Sequence, residues 1–134
     1  MDLEPILRPR RKALVLAAES VVREARDKLP DKSQLNRLVS VCGEATCAEE
    51  IGNYLLYQAS RQTRPWPRDF AELVIAKIGP PLADLSSDMH GNKDAERDRA
   101  KVAAWRLYAV FLTRAFTYAR QQNKKGDEHD RARR

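Results

Sequence analysis

The chain has 134 residues, 43% of them hydrophobic and 33% charged. Set against ~100 to 200 residues for a typical domain, these figures predict one compact domain and exclude wholesale disorder and most multi-domain enzymes. Lysine and arginine number 25 against 19 acidic residues, a net charge of 25 − 19 = +6 that favours a polyanionic partner.

The opening segment, Met1 to Lys12, lacks the apolar run of about 7 to 15 residues that a secretory leader carries. The longest apolar runs, Ala13 to Ala18 and Leu107 to Leu112, fall short of the ~20 residues that cross a bilayer. A cytoplasmic protein without a membrane span is expected. Cys42 and Cys47 are the only cysteines, and in a reducing compartment they read as small buried hydrophobes rather than a disulfide.

Glycine and proline are sparse, and no alternating pattern long enough for a sheet occurs, so the expected fold is an all-α, single-domain bundle of about five helices. A first helix from about Arg10 to Leu29 places Leu14, Ala18, Val21, Val22, Ala25 and Leu29 on one stripe and ends at Pro30. Ser33 can cap a second, with Leu35, Leu38, Val39 and Cys42 inward and Gly43 as its stop. Thr46 and Glu49 have capping-box spacing and predict a third, carrying Ile51, Leu55, Leu56 and Ala59 inward to about Arg61. Asp69 would cap a fourth, with Phe70, Leu73, Val74 and Ile78 buried; Gly79, Pro80 and Pro81 predict its end and a loop from Leu82 to Asn92. The last and longest helix is expected from about Lys93 to Gln122. Residues 123–134 read as a disordered tail, which makes residues 1–122 the folded domain.

The positive charge is concentrated. Residues 101–125 hold Lys101, Arg106, Arg114, Arg120, Lys124 and Lys125 and no acid, and that segment alone accounts for the +6. Projected at ~100° per residue, Ala104, Trp105, Tyr108, Phe111, Leu112, Ala115, Phe116 and Ala119 share a broad apolar arc, with Arg106, Arg114, Arg120 and Lys124 opposite. A helix that needs only solubility mixes signs, because Glu and Lys at i, i+4 attract while like charges repel. An unpaired basic arc is thus open to an outside anion, or is a solvated face with no partner.

A second concentration, Ile51 to Arg68, holds Arg61, Arg64 and Arg68 with no acid, and puts Tyr54, Tyr57 and Arg61 on one side of a helix. Guanidinium beside aromatic rings suits nucleic acid, with phosphate on the one and a base or sugar on the other. The alternative is that the tyrosines pack on a neighbouring helix and Arg61 caps carbonyls at its helix end. Catalytic constellations are missing. His90 and His129 lack metal-pair spacing, and no phosphate-binding glycine loop, nucleophile elbow or zinc-ligand pattern occurs. The carboxylates Asp94, Glu96 and Asp98 are interleaved with arginines and read as solvated. No catalytic residue, metal or cofactor is expected.

Three short motifs in order, Ser33-Gln34-Leu35 opening a helix, Tyr57-Gln58-Ala59-Ser60-Arg61 closing the next, and Phe116-Thr117-Tyr118 in an aromatic-rich last helix, resemble the small subunit of type III CRISPR effector complexes, of the Csm type. The resemblance spans about Ser33 to Arg120. It implies a helical subunit without enzymatic activity that stacks in several copies beside other effector subunits, with a basic surface along the guide and target RNA. It further implies that Ser33, Gln34 and Tyr57 belong to a shared helical surface and that Arg61 contacts RNA. One position departs from the pattern: Asn36 stands where the family usually has arginine, and Arg37 follows one place later, ~100° around the helix. The RNA-binding set expected from charge and resemblance together is Arg37, Arg61, Arg64, Arg68, Arg106, Arg114 and Arg120. Two other classes share the composition: a DNA-binding regulator using Ser33 to Val41 and Thr46 to Arg61 as a helix-turn-helix, and a protein–protein adaptor.

Overall fold

The structure, a computed structural model, describes the backbone of residues 1–133, with side chains for residues 1–123. A single helical turn, α1 (Glu4–Leu7), and a 3-10 turn (Arg8–Arg10) lead into α2 (Arg11–Ala25); α3 (Lys32–Glu44), α4 (Ala48–Ser60), α5 (Arg68–Asp88) and α6 (Asp94–Arg133) follow. No strand occurs among the described residues, and the chain is the expected all-α bundle with a long last helix. None of the described helices is long and apolar enough to cross a membrane.

The core forms around α6, which packs most extensively on α2 and α3, with α5 against the other flank of α2 and α4 against α5. The apolar arc of α6 performs as its periodicity requires: Ala104, Trp105, Tyr108, Phe111, Leu112 and Phe116 are buried, together with Ala100 and Ala109. Facing them, Leu14, Ala18, Val21, Val22 and Ala25 of α2 and Leu35, Leu38 and Cys42 of α3 are also buried. The rings of Trp105 and Tyr108 meet edge to face, 5.5 Å between centroids. Tyr108 donates its hydroxyl to the Val74 carbonyl of α5 at 2.7 Å, so a phenol at the centre of the bundle keeps its hydrogen bond.

Several boundaries differ from the sequence expectation, each for an identifiable reason. α2 stops before Pro30, because Arg26 takes a left-handed φ of 56° and turns the chain away. Ser33 does not cap α3, which begins one residue earlier with Asp31 in the extended N-cap position. The capping box at α4 is replaced by a longer reach: Glu50, not Glu49, accepts the Thr46 backbone N–H at 2.9 Å. α5 does not end at Gly79; it runs on through Pro80 and Pro81 to Asp88. Besides removing a helical donor, proline disfavours the helical region for the residue before it, through its ring against that residue's Cβ and N–H, and Gly79, before Pro80, has no Cβ. Gly79 and Pro80 also lie on the exposed side of α5, where carbonyls that lose a helical donor can be hydrated.

That extension carries the core further than expected, since Leu85 and Met89 are fully buried. Trp66, between the two prolines of the α4–α5 turn, is fully buried as well and meets Phe70 at 5.5 Å. Leu56 moves the other way and is 52% exposed. α6 extends to Arg133, past the expected end at Gln122. The side chains of Lys124, Lys125 and 127–134 lie outside the described residues, as does the tail expectation that rests on them.

Two arginines fasten the end of the bundle where α5 turns into α6. Arg97 donates to the carbonyls of Met89, His90 and Asn92 and to the Asp94 carboxylate, closing the tight α5–α6 turn. The segment expected to be merely solvated therefore contains a structural cation. Arg10 is buried, and it ties the N-terminal turns to the end of α5. It donates to Ile6 O at 2.7 Å, to Asp84 O at 3.3 Å and to Asp88 Oδ2 at 2.9 Å, with Asp84 Oδ2 3.1 Å from Nε. Both carboxylates are largely solvated and can rehydrate when the guanidinium is removed, which limits the penalty. The Arg10→Ala variant should lose about 2 kcal/mol from charge-assisted bonds and stem packing. Arg68→Ala, which breaks only the exposed Arg68–Glu72 pair, should stay within about 0.5 kcal/mol of the parent. Urea unfolding midpoints at constant slope measure both.

Candidate nucleic-acid interface

The seven arginines expected to bind RNA do not form one patch. Fourteen residues separate Arg106 from Arg120, which brings them back to within ~40° on α6, whereas the eight residues from Arg106 to Arg114 leave ~80° in the opposite sense. Because α2 and α3 flank α6 on its two sides, this rotation assigns the cations to different neighbours.

Arg120 shares a hollow of about 280 Å³ with Lys32 at the start of α3, and its guanidinium lies 5.1 Å from the Phe116 ring centroid. Arg106 lies close enough to Cys42, near the other end of α3, to act on its thiol. Between them along α3 stands Arg37, and Arg37 and Arg61 both act on the Tyr54 hydroxyl of α4. Lys32, Arg37, Arg61, Arg106 and Arg120 are all exposed, and none has an ion-pair partner among the described residues. These five cations, grouped around α3, form the candidate interface. Lys32 was not singled out from the sequence, because only the antiparallel docking of α3 on α6 brings it to Arg120.

Local packing positions these groups. Arg61 follows the last residue of α4 in extended conformation and donates to Gln58 Oε1 at 3.0 Å, so a buried amide orients it. It does not cap a carbonyl. Tyr57 is 62% exposed, whereas Tyr54 is half-buried with its hydroxyl lacking a protein partner. Burial raises the pKa of Tyr54, and the two arginines oppose that rise. Ser33 is exposed, and Gln34 is half-buried with its Oε1 unpartnered.

Three expected members behave differently. Arg114 turns to the α2 side, where it shares a hollow with Glu19 and lies 5.9 Å from the Phe111 ring centroid, with Arg11 of α2 6.0 Å from the same ring. The acid-free character of residues 101–125 is therefore local in sequence and is lost at Arg114 in space. Arg68 is paired with Glu72 at 3.1 Å. Arg64 is exposed and unpaired but belongs to a separate hollow at the α4–α5 turn. A corresponding correction applies to the cysteines: Cys42 is buried, while Cys47 is only half-buried at the start of α4.

Comparisons of the chain with protein-family models, with curated proteins and with solved structures give no match.

Burial pushes the Cys42 thiol from an ordinary 9.0 up to about 12, against the opposing charge of Arg106. The unfolded thiol ionises first, so above pH ~9 the unfolded state binds fewer protons and the fold loses stability as pH rises toward the folded value; below pH ~9 this group contributes no pH dependence. Unfolding midpoints should accordingly fall between pH ~9 and ~11, and less steeply in Cys42→Ala. A thiol reagent at neutral pH should modify Cys47 in the native protein and reach Cys42 only on unfolding.

Proposed function

We propose that this chain is a non-catalytic RNA-binding subunit, of the kind found as the small subunit of type III CRISPR effector complexes. It would lie along the phosphate backbone of guide and target RNA in several copies, beside the larger subunits of the complex. The observation that carries the reading is the group of unpaired, exposed cations around α3: Lys32, Arg37, Arg61, Arg106 and Arg120.

Like charges gathered without a carboxylate in ion-pair contact destabilise a fold slightly, and a polyanion removes that repulsion on binding. Arginine contacts to phosphate carry no sequence information, which suits a subunit that must accept whatever target the guide specifies. Sequence discrimination is then left to base pairing, as in other RNA-guided systems. A few phosphate contacts per protomer give weak binding alone, and neighbouring copies on one strand multiply it through effective concentration. The resemblance in the Ser33, Tyr57 and Phe116 motifs points to the same role.

Single-stranded RNA binding, followed by fluorescence anisotropy across a salt series, tests this. With about four phosphates neutralised per protomer, log K should fall with log[salt] with a slope near −3. Arg106→Glu combined with Arg120→Glu should weaken binding at least ~10-fold and flatten the slope, whereas Arg114→Gln should change it little. RNA affinity that is unchanged in the double variant, or enrichment of one duplex DNA sequence from a random library, overturns the reading.

A further inference from the structure

The α4–α5 turn encloses a second polar hollow, of about 370 Å³, lined by Leu56, Ala59, Ser60, Arg64, Arg68 and Glu72. Its volume is in the range that takes a small ligand rather than a water cluster. Arg64 holds a left-handed φ of 42°, a region costly to residues with a Cβ and free to glycine. Its N–H closes a turn on Arg61 O at 2.9 Å, a closure that glycine would make equally well. The turn therefore needs the conformation but not the side chain. Arg64 lines the hollow, and its guanidinium has no ion-pair partner among the described residues.

The remaining lining is complementary in kind. Arg68 donates to Glu72 Oε1 at 3.1 Å, which leaves Glu72 Oε2 as a free acceptor. Ser60 donates its hydroxyl to Leu56 O at 2.7 Å and so presents only lone pairs to the hollow. Leu56, 52% exposed, supplies an apolar wall. One cation for a phosphate, two acceptors for hydroxyl or amine donors and an apolar wall match the parts of a nucleotide.

We infer that this hollow binds a single ribonucleotide unit, with its phosphate on Arg64, its 2′-hydroxyl donating to Glu72 Oε2 and its sugar or base against Leu56. The inference rests on the RNA-binding reading and extends it: the backbone band accepts any polyanion, and this hollow would add a preference for RNA over DNA through the 2′-hydroxyl.

The test uses uridine 5′-monophosphate as the probe on the full chain, read by amide chemical-shift perturbation, so that its outcome is independent of the band around α3. Saturable shifts at Leu56, Ser60, Arg64 and Glu72 are expected, with the deoxy analogue binding about fivefold more weakly for one lost hydrogen bond. Arg64→Gly relieves the backbone, keeps the unfolding midpoint, and should weaken the nucleotide at least about tenfold. Glu72→Gln should abolish the ribose preference while retaining phosphate binding. Shifts confined to residues around α3, equal affinity for ribo and deoxy probes, or inorganic phosphate alone binding as tightly as the nucleotide would overturn the inference. Those results leave the long-RNA measurements on Arg106 and Arg120 to stand or fall separately.

Discussion

Burial of one wide apolar arc on α6 is the constraint from which the remaining structure follows. The buried arc runs from Phe111 through Trp105, Tyr108, Leu112 and Phe116 to Ala109, roughly 160° of the helix and too broad for a single neighbour, so α2 covers one side and α3 the other. At roughly 1.5 to 3 kcal/mol per large apolar side chain removed from water, no surface ion pair in the molecule competes with this term. Helices placed on both flanks also fix where the polar edges of α6 must emerge. The basic surface is thus a by-product of core packing in its position, though not in its composition.

Two kinds of arginine result. Arg10 and Arg97 are held by backbone carbonyls and carboxylates and act as fasteners at the end of the bundle where α5 gives way to α6. Those around α3 are held by neutral neighbours, Arg61 by the Gln58 amide and Arg120 by the Phe116 ring, which orient a guanidinium without neutralising it. The distinction separates cations that stabilise the fold from cations available to a ligand. It cannot be drawn from charge counts, since Arg97 sits in a segment of mixed charge and Arg114 in an acid-free one.

Much of the fold is legible in periodicity. The buried positions of α2 and α6, and Leu35, Leu38 and Cys42 of α3, follow from three- and four-residue spacing, because an amphipathic helix has only one way to hide its apolar stripe. The misreadings cluster where local rules meet tertiary compensation. Pro80 and Pro81 ought to end α5, yet Gly79 removes the steric obstacle before Pro80, and Ala76, whose carbonyl loses its helical donor to Pro80, is exposed to water. Trp66 lies between prolines in a segment with no periodicity to read, and only the approach of Phe70 discloses it as core. Leu56 has the hydrophobicity of a core residue but lies on the side of α4 that no helix covers.

The sequence by itself determined the helical class, the apolar arcs and the concentration of positive charge toward the last helix, because these are properties of residues close along the chain. Only the tertiary structure decided which cations remain unpaired and which stand together. Arg120 shares a hollow with Lys32 and Arg106 acts on Cys42 because α3 docks beside α6, Arg114 shares a hollow with Glu19 because α2 docks on the other side, and Arg64 lines a hollow because its turn brings α4 and α5 together. Electrostatic pairing depends on distance in space, and a helical bundle sets that distance by the packing of its apolar faces.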